Sequence, residues 1–203
     1  MVKLYKNFNI KNNHKNSLIL IGNFDGVHSG HQKLFKLAKI FKKKYRIKIG
    51  VVNFDPMPKM FFNKLLKNFR ITSINQKIEL LSKLSVDFII TKKFDKNFSK
   101  IKSINFIKEI LNKKLKSKFI FVSNNFRFGN KREGNVNLLI KNEKQFSYKV
   151  IKPAPLIKHQ KLISSTLIRS LLEKGYLEKA NKLLNRNWTI DGKVQIGRQV
   201  GKK

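Results

Sequence analysis

A four-residue apolar run, Leu18–Ile21, leads directly into Gly22-Asn23-Phe24-Asp25-Gly26-Val27-His28-Ser29-Gly30-His31. The run reads as a short buried strand. Glycines then follow it, and glycine lets backbone approach a ligand closely. From about Gly30, apolar residues recur at three and four: Leu34, Leu37, Ala38, Phe41 and Tyr45, with lysines between. That spacing predicts an amphipathic helix. A buried strand passing through a glycine turn into a helix commits this part of the chain to an α/β arrangement.

The alternation continues along the chain. Residues 47–54 read as a second strand, stopped at Asp55-Pro56-Met57-Pro58 because proline cannot donate to a ladder. Ser73-Ile74-Asn75-Gln76 is a capping box. It opens a helix with Ile74, Ile78, Leu81 and Leu84 on one face. Residues 86–91, 119–122 and 148–151 read as further strands, and residues 103–115 as a helix. Ser164 or Ser165 caps a helix closing near Gly175, and a last helix over residues 176–184 ends at Asn185. Strands alternating with helices predict a mostly parallel sheet covered on both faces. Ligands in such sheets sit beyond the carboxyl ends of the strands. The loops over residues 22–30 and 123–134 both fall there. Residues 188–194 read as a strand or hairpin opening a new unit. The expected division is therefore a domain over residues 1–186 and the start of another over 187–203.

Composition narrows the function classes. The chain has 203 residues, 41% of them hydrophobic, and a mean hydropathy of −0.37. Its longest aliphatic run is far below the ~20 residues a membrane-spanning helix needs. Residues 1–11 are charged without an apolar core, so no signal peptide is read. With no cysteine, disulfides, thiolate metal sites and cysteine catalysis are excluded. The expectation is a cytoplasmic globular protein without a membrane partner.

Charge is extreme: 46 Lys+Arg against 11 Asp+Glu, a net +35. Basic surfaces condense on nucleic acid. Yet the cations are 39 Lys and only 7 Arg, spread through every segment. Readers of nucleic acid lean on arginine for bidentate contacts. Compositional bias accounts for such a pattern, and no specific nucleic-acid partner is expected. The charge still favours an anionic substrate.

Four segments carry residues suited to chemistry. His28 and His31 straddle a helix start, and their spacing of three puts both imidazoles on one side of its first turn. The free N–H groups of that turn attract anions. Two imidazole donors there suit charge developing on phosphate oxygens. The pair by itself fits equally a strand-to-helix turn with two exposed histidines. No third nitrogen or sulfur ligand stands at metal spacing, so no metal site is read. Ser164, Ser165 and Thr166 open a second helix, with Arg169 four residues after Ser165 on the same face. Hydroxyls, free amides and a guanidinium make a phosphate cradle; serines alone are as readily plain caps. Asn124-Asn125-Phe126-Arg127-Phe128-Gly129 mixes amide, aromatic and basic groups suited to a base or planar ring. Pro56 and Pro58 form a rigid turn beside Phe54.

In this order and spacing, the four segments resemble the FAD synthetase (FMN adenylyltransferase) family, the N-terminal module of bacterial bifunctional riboflavin kinase/FAD synthetases. The resemblance covers roughly residues 15–186. The family's G-x-F-D-G-x-H-x-G-H stands without mismatch at residues 22–31, and its S-S-T-x-I-R at 164–169. The H-x-G-H core is shared by the HIGH-type nucleotidyltransferases; the joint presence of F-D-G, S-S-T-x-I-R and the F-R-F-G loop narrows the resemblance to the flavin branch. There are departures. Ser123 replaces a glycine, Asn125 stands where aspartate is usual, and Met57 replaces a histidine. The chain also reaches Lys203 without the kinase's G-F-P-T-A-N motif, so riboflavin phosphorylation is not expected of it.

The resemblance implies a Rossmann-like α/β fold of the HIGH-type nucleotidyltransferase superfamily. It implies transfer of AMP from ATP to FMN, giving FAD and pyrophosphate, with Mg²⁺ carried on the ATP phosphates. His28, His31 and Arg169 are then the expected catalytic residues. Gly22, Asn23, Phe24, Asp25, Gly26, Gly30, Asn125, Ser164, Ser165 and Thr166 would bind ATP. Pro56, Pro58 and Phe128 would flank the flavin. Two alternatives stay open: the same scaffold acting on another phosphorylated acceptor, or a basic nucleic-acid-binding protein without catalysis. The sequence leaves the oligomeric state open.

Overall fold

A computed structural model describes residues 2–66, 69–158, 160–192 and 197. Six strands form one parallel sheet: β1 (Lys3–Tyr5), β2 (Leu18–Ile21), β3 (Ile49–Asp55), β4 (Phe88–Lys93), β5 (Phe119–Phe121) and, after two intervening short strands, β8 (Lys149–Ile151). Those two, β6 (Arg127–Phe128) and β7 (Gly134–Asn135), pair antiparallel, as do β9 (Ile157–Lys158) and β10 (Lys161–Leu162). The order in the main sheet is β1-β4-β3-β2-β5-β8.

The expected parallel α/β sheet is therefore present, and β2 lies inside it, buried at all four residues. Alternation along β2 sends Leu18 and Leu20 to one face, where they pack with Phe35, Ala38 and Leu81. Ile19 and Ile21 go to the other, against Ile107, Ile110 and Leu111. The first face is covered by the Ser29–Tyr45 and Ile74–Ser82 helices. The second is covered by a helical segment that starts at Ser103–Asn105 and continues as π-helix over Phe106–Lys114. Burying each face removes large apolar areas from water, which is the main favourable term for folding.

The capping box at Ser73 is formed in both directions: Gln76 N–H donates to Ser73 Oγ, and Ser73 N–H donates to Gln76 Oε1. Ser164, not Ser165, caps the Ser165–Glu173 helix. Three features differ from the sequence reading. Lys3–Tyr5 is a strand, paired with β4 at the sheet edge, where it needs no long apolar run. Pro58 opens the short Pro58–Phe62 helix, because its fixed φ suits a first helical position. Residues 188–192 form no strand, and the remainder of that expected strand or hairpin, 193–194, lies outside the described residues. Trp188 instead packs beside Ile71 and Ile168, and its indole N–H donates to the Ile71 carbonyl at 2.8 Å.

Candidate active site

Strand order reverses between β2 and β5: from β2 the chain crosses to β3 on one side, and from β5 to β8 on the other. The loops leaving these neighbours diverge and open a crevice at the carboxyl end of the sheet. Both segments singled out for chemistry at the ends of these strands lie there.

After β2 the chain makes a tight turn over Asp25–Val27, in which Gly26 has φ +78°. A Cβ at Gly26 would stand 3.0 Å from the Ile71 side chain, so both conformation and space require glycine. Asp25 is 2% exposed and turned inward. Its carboxylate accepts from the N–H groups of Ile71 at 3.1 Å and Thr72 at 3.4 Å. Arg169 Nη1 donates to the same carboxylate at 2.8 Å, and its guanidinium carbon lies 3.9 Å from the Phe69 ring centroid. Ser165 Oγ donates to the Asp25 carbonyl at 2.8 Å. Asp25 thus ties together three segments far apart in sequence.

His28 caps the Ser29–Tyr45 helix: its Nδ1 accepts from the His31 N–H at 3.4 Å. An accepting Nδ1 leaves the proton of a neutral ring on Nε2. The two imidazoles stack, with centroids 3.7 Å apart. Neither is an exposed side chain; His28 is 5% exposed. Burial pushes His28 down to about 4, with the Arg186 guanidinium adding to the effect. Burial also holds His31 well below the ordinary histidine range, helped by His28 and Lys77. Both rings are therefore neutral near pH 7. Among the described residues, His31 Nδ1 and Ser29 Oγ are buried without a hydrogen-bond partner.

The two helix starts meet at Gly30. A Cβ there would stand 3.1 Å from the His28 ring and 3.5 Å from the Ile163 carbonyl, the residue before the Ser164 cap. Glycine is what lets the histidine turn and the Ser164 turn share this space. Thr166 is exposed at the second start, while the Ser164 hydroxyl is spent on its cap.

The start of the 22–28 loop borders a cavity of about 450 Å³. Gly22, Asn23, Pro58, Asn125 and Phe128 line it, together with Phe54, Phe62, Phe94, Phe98, Phe106 and Phe126. Phe126 and Phe128 stack with centroids 5.4 Å apart. Arg127, Lys131 and Arg132 stand at its wall. Asn125 is exposed and accepts from Ser123 Oγ at 2.9 Å. Gly129, at φ +78°, runs against the Ser103 backbone, which a Cβ would meet at 2.7 Å.

The structure thus divides the sequence-derived residues between two places. The histidines, Ser164, Ser165, Thr166 and Arg169 form a polar pole. Pro58, Asn125 and Phe128 line an aromatic cavity, and Gly22 and Asn23 border it. Pro56 stays outside the cavity lining. Most of the cavity phenylalanines escaped the sequence reading. Phe54 and Phe62 flank the Pro56–Pro58 turn and carried a local signal, whereas Phe94, Phe98 and Phe106 stand among 17 phenylalanines with nothing to single them out. Lys77, 2% exposed, and Arg186, beside His28, escaped it too.

A parallel sheet with histidines at its first strand-to-helix turn, and a second helix start beside them, defines a nucleotidyltransferase-like α/β domain. The profile of the FAD synthetase family matches residues 10–167. The chain belongs to the FAD synthetase family. It is 42% identical over 194 residues to the bifunctional riboflavin kinase/FMN adenylyltransferase of Buchnera aphidicola from Acyrthosiphon pisum, covering 96% of this chain and 62% of that protein. It is 32% identical to the Escherichia coli K12 protein of the same description, covering 91% of this chain and 59% of that one. Thus the chain spans about 60% of the length of the curated relatives it matches. A solved structure titled a macrolide-efflux protein from Streptococcus pneumoniae superposes with a TM-score of 0.79 at 25% identity, covering 92% of this chain and 60% of that one. No helix among the described residues is long and apolar enough to cross a membrane.

Proposed function

We propose that this chain transfers AMP from ATP to FMN, giving FAD and pyrophosphate. The observation that carries the reading is the meeting of two helix N-termini at Gly30, on a loop whose first residues, Gly22 and Asn23, line a phenylalanine-walled cavity. Helix starts take anionic phosphates. A cavity of this size with aromatic walls takes a planar ring system. The loop between them is where the phosphate of a bound flavin and the α-phosphate of ATP would meet.

An FMN phosphate oxygen attacks the α-phosphorus in line. A new P–O bond forms as the bond to the β-phosphate oxygen breaks, and pyrophosphate carries away the electron pair. Such chemistry is mostly positioning and charge stabilisation. His28 and His31, neutral in the folded chain, donate N–H bonds to the triphosphate as charge moves toward pyrophosphate. Thr166, the backbone N–H groups beside Ser164 and Ser165, and Arg169 hold the β- and γ-phosphates. Gly22, Asn23, Phe24, Asp25, Gly26 and Gly30 shape the nucleotide loop, and Asn125, which lines the aromatic cavity, contacts the ring system seated there. Pro58 and Phe128 flank the flavin; Pro56 acts only through the turn it stiffens.

The reaction implies Mg²⁺. Among the described residues, no group of three or more His, Asp or Glu side chains could hold a metal ion. The donor set does not fit a protein cage; the ion would ride on phosphate oxygens and water.

The test is direct. The chain is incubated with ATP, FMN and Mg²⁺, and FAD and pyrophosphate are measured by chromatography. FAD formation dependent on all three is expected. A folded sample that makes none overturns the reading. Parallel reactions with other phosphorylated acceptors decide whether FMN is the preferred one.

A further inference from the structure

The loop that carries His28 is held in a conformation its own residues do not favour. Phe24 at φ +47° and Val27 at φ +40° both lie in the left-handed region, where glycine is at ease and a β-branched side chain is an outlier. Val27 is 2% exposed, so its side chain is fixed in the core. Such strain persists only where surrounding contacts over-determine it, and it gathers at functional turns. One such contact comes from Gln32, the residue after His31. Its Nε2 donates to the Val27 carbonyl at 3.0 Å and to the Leu184 carbonyl at 3.0 Å, and its Oε1 accepts from Asn185 Nδ2 at 3.3 Å.

Both donors of the amide are thus used. Leu184 is the last residue of the Leu177–Leu184 helix, so its carbonyl has no partner within the helix. Arg186 Nη1 also reaches that carbonyl, at 3.4 Å. Gln32 therefore ties the loop to the end of a helix 152 residues along the chain. The Val27 carbonyl belongs to the same rigid peptide plane as the His28 nitrogen. A grip on that oxygen sets the direction in which the chain enters His28. We propose that Gln32 is a positioning residue for FAD formation: it fixes the Val27–His28 peptide against the carboxyl end of the Leu177–Leu184 helix and so aims the His28 imidazole at the triphosphate. The proposal rests on the assignment of His28 to ATP.

Gln32→Met keeps the length of the side chain and removes the amide. Kinetics of FAD formation, run well below the melting temperature, should show kcat lowered roughly ten- to a hundredfold, the scale of a small misplacement of a catalytic group. KM for ATP and for FMN should change little. In a His28→Ala background the same substitution should cost clearly less, because it acts through that ring. Gln32→Glu, which keeps the shape and the acceptor but neither donor, should lose kcat as Gln32→Met does. Asn185→Gly keeps the left-handed turn at residue 185, φ +55°, and leaves both bonds from Gln32 Nε2 in place, so its kcat should match wild type. A second readout needs no turnover. Burial, with Arg186 adding to it, holds the His28 ring at about 4; once its turn is released the ring should titrate closer to the ordinary 6.5. Histidine ring signals followed by NMR against pH measure this, with His28→Ala identifying the signal.

Unchanged kcat in folded Gln32→Met and Gln32→Glu overturns the proposal. So does full additivity with His28→Ala, or a fall in kcat as large for Asn185→Gly. If neither Gln32 variant folds, the amide is a structural requirement and the proposal is also overturned. A wild-type chain that makes no FAD defeats the activity alone; the His28 titration then judges Gln32, and an unshifted one in the variants defeats its positioning role.

Discussion

Arg169 and Asp25, 144 residues apart, are joined at 2.8 Å. This pair holds the Ser165–Glu173 helix against the loop that follows β2. Asp25→Asn keeps the shape but removes the anion facing a largely buried guanidinium. Breaking one side of such a pair costs about 3–5 kcal/mol. Urea unfolding should show a midpoint well below wild type; an equal midpoint would remove the pair from the fold's supports.

His28→Ala and His31→Ala should each lower turnover by on the order of 10²–10³-fold, the usual loss for one transition-state donor. His28→Ala also removes a helix cap, a loss of about 1 kcal/mol. Steady-state kinetics and thermal melts separate the two effects. Near wild-type turnover in either variant would contradict that histidine's role.

Acid should weaken the fold through the same histidine. The His28 pKa is depressed to about 4 in the folded chain. Between that value and the ordinary 6.5, the unfolded chain binds the proton and the folded chain does not. Stability is therefore unaffected by this group above about 6.5 and declines as pH falls toward 4. Melting temperatures measured across that range should drop more steeply for wild type than for His28→Gln. Parallel slopes would refute the linkage.

Arg169→Lys preserves charge but loses the planar fork. A charge-assisted hydrogen bond is worth about 1.5–3 kcal/mol, so kcat/KM for ATP should fall roughly ten- to a hundredfold. The structure adds a second expectation: contact with the Phe69 ring is lost, so the variant should also melt earlier. Unchanged kcat/KM with ATP varied at saturating FMN would take Arg169 out of the site.

Phe126→Ala removes one of two stacked rings in the aromatic cavity. Loss of an aromatic stacking partner costs about 1–3 kcal/mol. KM for FMN should rise with KM for ATP unchanged. A rise in both would mean that the cavity and the polar pole are not separate subsites.

Local signals explain what the sequence made legible. β2 and β5 are fully buried runs with breakers after them, and the Ser73–Gln76 and Ser164–Leu167 caps are contacts three residues apart. The parallel sheet followed from their alternation with helices. β1 was hidden because an edge strand of three residues, two of them exposed, has no periodicity to show. The hold of Asp25 on Arg169, and the gathering of Phe54, Phe98 and Phe106 around one cavity, depend on how distant elements cross. Asp25 in particular reads from its motif as a nucleotide-loop residue; its carboxylate is spent on backbone N–H groups and a guanidinium.

Trp188 is the chain's single tryptophan, and its indole is bonded to the residue whose N–H holds the Asp25 carboxylate. Its ultraviolet emission therefore comes from one known point, a single residue removed from the nucleotide loop. Any event that moves Asp25 must disturb residue 71 and, through it, the polarity and rigidity around the fluorophore. A flavin seated beyond the loop would also drain that emission by energy transfer. The protein thus carries an intrinsic optical gauge, readable in solution without a label.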